Sequence, residues 1–246
     1  MRKTYRELTE EIKTDGERLK LIAALGSSDD LAYHYALICE DWAAGGKLLL
    51  ENSFDRHGEA GIVFLLEQLR ACGTASKTDE SAAAGTATDT AYLAAKILSQ
   101  LRHRDFYAAR AKELAALLTA RWEISDIALR RQQIIALGWI GSESEINLLI
   151  DSMQSDSDAL CRAWAAAALM QLSFHGVEAD VLREKTKTAF AAAIQKEGDL
   201  NAAGIMIEAA QTLFGKKWIS AAAAEAAESE SIEKARKSAL RFLGKA

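Results

Sequence analysis

Through the middle of the chain, apolar residues return every three or four positions and polar residues fill the gaps. Ile127, Leu129, Ile134, Leu137 and Ile140 keep near-helical spacing after Ser125-Asp126, which reads as a cap, and Gly141 is a natural stop. Ile146, Leu149, Ile150 and Met153 line one face of the next helix. Ser155-Asp156-Ser157-Asp158 reads as another turn and cap, after which Leu160, Ala163, Trp164, Ala167, Ala168 and Leu172 continue in a further helix. No segment sustains the period-2 alternation of a half-buried strand. Extended along the chain, the pattern predicts helix pairs 3–13 with 15–26, 30–42 with 44–54, 58–71 with 89–102, 106–119 with 126–140, 144–154 with 158–172, 179–196 with 199–214, and 217–228 with 231–243. The stretch from Gly73 to Asp89, rich in Gly, Thr, Ser and Ala, reads as a flexible loop within the third pair.

These segments repeat. Leu129-Arg130, Ile134 and Ala136-Leu137-Gly138-Trp139-Ile140 align with Cys161-Arg162, Ala166 and Ala168-Leu169-Met170-Gln171-Leu172 at an offset of 32 residues. Looser copies end in Ala24-Leu25-Gly26, in Ile97-Leu98 and in Ala239-Leu240. A period in this range signals a stack of helix pairs. The segment Asp156-Ser157-Asp158-Ala159-Leu160-Cys161-Arg162-Ala163-Trp164 resembles the second half of a HEAT repeat of the phycobilisome-lyase-like type. In that family an Asp in the turn and an Arg on the second helix form a ladder along the stack. Asp156 and Asp158 with Arg162 match both elements, and Asp126 with Arg130 matches one. The resemblance is specific over about residues 105–173 and loose elsewhere. It implies an all-α fold, a right-handed α–α superhelix or HEAT-like solenoid of about six to seven antiparallel helix pairs. The expected organisation is a single domain over 1–246, with divergent pairs over 1–72, the loop over 73–88 and more regular repeats over 89–246.

Composition supports helix. Proline, which breaks helix interiors, is absent from all 246 residues, and alanine runs such as Ala165–Ala168 favour helix. Half of the residues are hydrophobic, enough for a sizeable core without disulfides or metals. Cys39, Cys72 and Cys161 are widely spaced and odd in number, which suits buried thiols in a reducing cytoplasm. Behind Met1-Arg2-Lys3 there is no apolar segment of the kind a secretory signal carries. The longest unbroken apolar stretch, Ala163–Met170, is far short of the roughly 20 residues that a membrane span needs. The net charge of −5 and the lack of a large basic run argue against generic nucleic-acid binding.

Candidate chemistry is sparse. His34, His57, His103 and His175 have no second His or Cys at ligand spacing, and His34 near Cys39 reads as a chance pair. Gly45-Gly46-Lys47 lacks the rest of a phosphate loop and reads as a turn. The sequence therefore predicts no catalytic residue, no metal site and no cofactor. The expected role is a non-catalytic protein-interaction scaffold that binds a protein partner on the concave side lined by the second helices. Candidates for that surface are Arg131, Gln132, Trp139, Trp164, Asn201 and Glu208, because Arg and aromatic residues anchor interfaces. The competing reading puts Trp139 and Trp164 in the core and gives Arg130 and Arg162 a structural ladder role. A narrower form follows from similarity to bacterial HEAT-repeat immunity proteins, an acidic surface matching a basic toxin domain. The enzymatic alternatives that the resemblance raises are a HEAT-like alkylpurine DNA glycosylase and a bilin-lyase-like enzyme. Self-association through apolar end faces is a third expectation.

Overall fold

The computed structural model describes residues 2–71, 110–120, 122 and 127–244. The chain divides into two compact units, Met1–Arg110 and Ala111–Ala246. Among the described residues the regular structure is helical and no strand is present. No described helix is long and apolar enough to cross a membrane. The predicted helix at 89–102, the loop at 73–88, Cys72, His103 and Asp126 lie outside the described residues.

In the first unit, α1 (Tyr5–Glu11) and α2 (Asp15–Gly26) each begin at a capping box. Thr4 and Thr14 accept the amides of Glu7 and Glu17, whose carboxylates accept the cap amides in return. This reciprocal bonding satisfies donors that a helix start leaves open. Asp30 caps α3 (Leu31–Ala43) by accepting the Tyr33 amide. The sequence predicts a further helix over 44–54, and here the structure differs. A Gly45-Gly46 turn with φ of 96° and 66° is followed by Leu49 at φ 54°, then by a 3-10 segment over Leu50–His57. Left-handed backbone at these positions cannot continue a right-handed helix. The buried Asp41 carboxylate instead accepts the Leu48 and Leu50 amides and the Tyr5 hydroxyl, fixing the start of the 3-10 segment. Helix α4 (Gly58–Ala71) follows. The 3-10 segment packs against α2, α3 and α4, and its Leu50 and Phe54 are fully buried with Leu37, Ile38, Ile62 and Leu65.

The second unit is a stack of helix pairs. They are α5 (Ala111–Thr119) with α6 (Ile127–Ile140), α7 (Ile146–Ser155) with α8 (Ala159–Leu172), α9 (Ala179–Lys196) with α10 (Leu200–Leu213), and α11 (Ala221–Glu225) with α12 (Ser229–Leu243). First helices α7 and α9 touch, and second helices α6, α8 and α10 pack in series. This arrangement is that of a HEAT-like α-solenoid. The second helices approach closely because their facing positions are small. Ala165, Ala166 and Ala168 are buried, and a Cβ at Gly138 would sit 2.8 Å from Ala168 Cα. Asp158 and Asp199 cap α8 and α10 through the Cys161 and Ala202 amides, both at 2.8 Å. Gly141 follows the end of α6, its amide bonded to the Leu137 carbonyl.

The last pair is irregular. The helix expected over 217–228 is only the five residues of α11, because Gly215 turns the chain at φ 64° and Gln211 holds the Trp218 and Ile219 amides. Helix α12 touches both α9 and α10, so it closes the end of both layers. Arg236 donates to the Ile194 and Glu197 carbonyls at the end of α9, and Glu230, Glu233, Lys234 and Lys237 face outward.

Candidate functional site

Two constellations stand out, one in each unit. In the second unit, three two-pronged ion pairs run along the stack. Arg130 of α6 grips Asp156 in the turn before α8, with Nε and Nη2 at 2.8 and 3.0 Å from the carboxylate. Arg131 grips Asp158 in the same way at 2.9 and 2.8 Å. Arg162 of α8 grips Glu197 before α10 at 2.7 and 2.9 Å and also donates to the Asp156 carbonyl. Planar guanidinium–carboxylate forks fix geometry as well as charge. Each arginine therefore reaches the acidic turn of the next repeat, whereas the motif alone pairs Arg162 with acids in its own repeat.

The electrostatics follow. The Arg131 fork, ahead of the opposing effect of burial, brings Asp158 down to about 2. Burial is the largest influence on Glu197 and pushes it up, but the Arg162 fork and the Asp199 amide outweigh it, and the group ends below its ordinary value. Cys161 is buried and sits under Asp158, and the two effects raise its thiol to about 12, so it is protonated and unreactive. A cleft of about 200 Å³ lies against Asp156, Arg162, Lys196 and Glu197. Its buried charges are those of the ladder.

The ladder frames the outward stripe of the second helices. On α8, Leu160, Trp164, Ala167 and Gln171 are incompletely buried and recur at helical spacing. The equivalent positions of α6, by the 32-residue offset, are Ala128, Gln132, Ile135 and Trp139. Counted from the capping aspartates, those of α10 are Asn201, Ile205, Glu208 and Thr212. Gln132, Trp139, Trp164, Asn201 and Glu208 thus lie on one stripe repeated over three helices. Trp164 is 37% exposed and Ile127, at the head of α6, is 45% exposed, so neither is a core residue. Trp139 is half-buried, its ring 4.6 Å from that of His175. Arg131 sits beside the stripe and spends its guanidinium on Asp158, so its first role is in the ladder.

The second constellation is one that sequence spacing misses, because its partners are 23 residues apart. His34 is fully buried in α3 beside Phe54, and His57 ends the 3-10 segment. His34 Nε2 lies 2.9 Å from the Leu50 carbonyl and His34 Nδ1 lies 2.8 Å from His57 Nε2. A carbonyl only accepts, so Nε2 of His34 carries the proton and Nδ1 accepts from His57. Burial, the dominant cause, lowers His34 to about 4. Burial also lowers His57, against the opposing pull of Asp29 and Asp55. Nearby, burial and then the hydrogen bond to Asp41 raise Tyr5 to about 12. Among the described residues no group of three or more His, Cys, Asp or Glu is arranged to hold a metal ion.

Comparison with known proteins adds one family. No curated protein and no solved structure matches the chain. The family model for HEAT repeats matches residues 80–170, which include α5 to α7, most of α8 and the first two rungs of the ladder. The match reaches the repeat family, within which protein-interaction scaffolds are the general rule, and goes no further toward the phycobilisome-lyase-like subtype. On the paired helices, the close-packed second layer and this match, the chain contains HEAT repeats over residues 80–170.

Proposed function

We propose that this protein is a non-catalytic interaction scaffold that binds a protein partner on the outward stripe of α6, α8 and α10. One observation carries the reading. A tryptophan, Trp164, stands 37% exposed at the centre of a stripe that recurs on three neighbouring helices and is flanked by a rigid ion pair. Tryptophan in a well-ordered surround is the residue type most enriched among energetic anchors. Holding the stripe rigid reduces the ordering entropy lost on binding. Gln132, Trp139, Asn201 and Glu208 supply the polar and aromatic contacts around it, and Arg131 acts by fixing Asp158.

A photo-reactive amino acid installed at position 164 tests this in cells. We expect it to give a discrete cross-linked protein, while the same group at Asn147, exposed on α7, gives none. Equal cross-linking at both positions, or none at 164, would refute the assignment. A narrower reading, neutralisation of a basic toxin domain, draws on the net charge of −5. A toxin that the protein neither binds nor counteracts is not its target.

A further inference from the structure

We infer that the His34–His57 pair is a proton-operated latch that holds the 3-10 segment over Leu50–His57 onto α3 and releases it on acidification. The inference is independent of the partner-binding surface and rests on hydrogen-bond bookkeeping in a buried site. His34 has both ring nitrogens committed, Nε2 donating to the Leu50 carbonyl and Nδ1 accepting from His57. The pair accommodates one further proton, on the Nδ1 of His57. A second must go to His34 Nδ1, which then faces the N–H of a charged His57 at 2.8 Å. Two donors cannot share that contact, and the charge would sit in a fully buried ring packed on Phe54.

Among the described residues the neighbours do not supply a compensating anion to His34. Asp41, on the same helix, is taken up by the Leu48 and Leu50 amides and the Tyr5 hydroxyl. From the preceding turn and from the segment itself, Asp29 and Asp55 act on His57. Arg18 reaches from α2 to the Leu48 carbonyl, and Arg56 packs over Gly26. Glu59 of α4 is paired with Arg110. Release removes both the Leu50 carbonyl bond and the His57 bond, so the part of the segment beyond Leu50, including buried Phe54, loosens from α3, while the Leu48 and Leu50 amides stay on Asp41.

Hydrogen exchange on the full chain, corrected for the intrinsic pH dependence, tests the latch. Between pH 7 and pH 4.5 the amides of residues 51–57 should lose protection roughly 50-fold. Those of α8 should not, because the depression of Asp158, which caps that helix, acts only at lower pH. His34→Gln keeps a donor for Leu50 and an acceptor for His57 but does not titrate, and it should abolish most of the loss. An unchanged pH response in folded His34→Gln would overturn the proposal. If that variant does not fold, nitrogen NMR of the wild-type chain decides. It should find His34 neutral with the proton on Nε2 at pH 6, and a proton on Nδ1 there would equally overturn the latch.

Discussion

At the residue scale, the arginines that look alike in sequence divide by what they hold. Arg162 neutralises Glu197, whose side chain is only 2% exposed, and so has the most to lose. Removing one partner of a buried pair strands the other charge, at a cost of about 3 kcal/mol or more. Arg162→Ala should therefore destabilise the second unit by roughly that amount in denaturant unfolding, with part recovered in the double variant Arg162→Ala/Glu197→Gln. A loss below about 0.5 kcal/mol would mean the pair behaves like a surface bridge. The sequence makes the ladder residues legible, since Arg130, Arg162, Asp156 and Asp158 stand at repeat-related positions. It does not reveal Glu197, because a glutamate replaces the aspartate there and the longer α9 carries that turn out of the 32-residue register. It also suggests contact roles for Arg131, since nothing in one chain position tells which acid in the next repeat it meets.

At the element scale, spacing and capping residues reveal helices that are locally encoded and miss one set by tertiary bonds. Helices α6, α8 and α10 follow from apolar period, and α8 and α10 also from their capping aspartates. The 3-10 segment does not, because its form depends on the Asp41 carboxylate seven and nine residues upstream. The His34–His57 contact is invisible for the same reason. Burial places the folded-state value of His34 near 4, below its ordinary 6.5, so the folded unit binds fewer protons than the unfolded chain. Stability from this group is complete above about pH 6.5 and falls as pH drops toward 4, by roughly 3 kcal/mol in all. Close helix approach gives a separate prediction. Gly138→Ala brings a methyl group onto Ala168 backbone, where nothing flexible can yield, and should cost about 1–3 kcal/mol in thermal or chemical unfolding. A neutral or stabilising result would show that α6 and α8 can slide apart.

At the scale of the whole molecule, the two units embody different rules. The first is a packed cluster around one irregular segment, and the second is additive, each pair resting on its neighbours. That additivity is why the repeat family is readable from 32-residue self-similarity, while the first unit offers no comparable signal. The stripe on the second helices was foreseeable in position, since register assigns it, but not in exposure, which depends on how deeply each tryptophan sinks between neighbours. The forward reach of each arginine has a consequence for lengthening the array. Residues 131–162 form a cassette that begins with one fork, contains both acidic acceptors, and ends with the arginine that serves the following unit. Inserting a second copy of this cassette after Arg162 leaves every carboxylate with a base and every base with a carboxylate. Such an elongated protein should melt no lower than its parent, whereas one extended by a block cut between Asp156 and Asp158 should melt lower. The fold thus carries its own splice site.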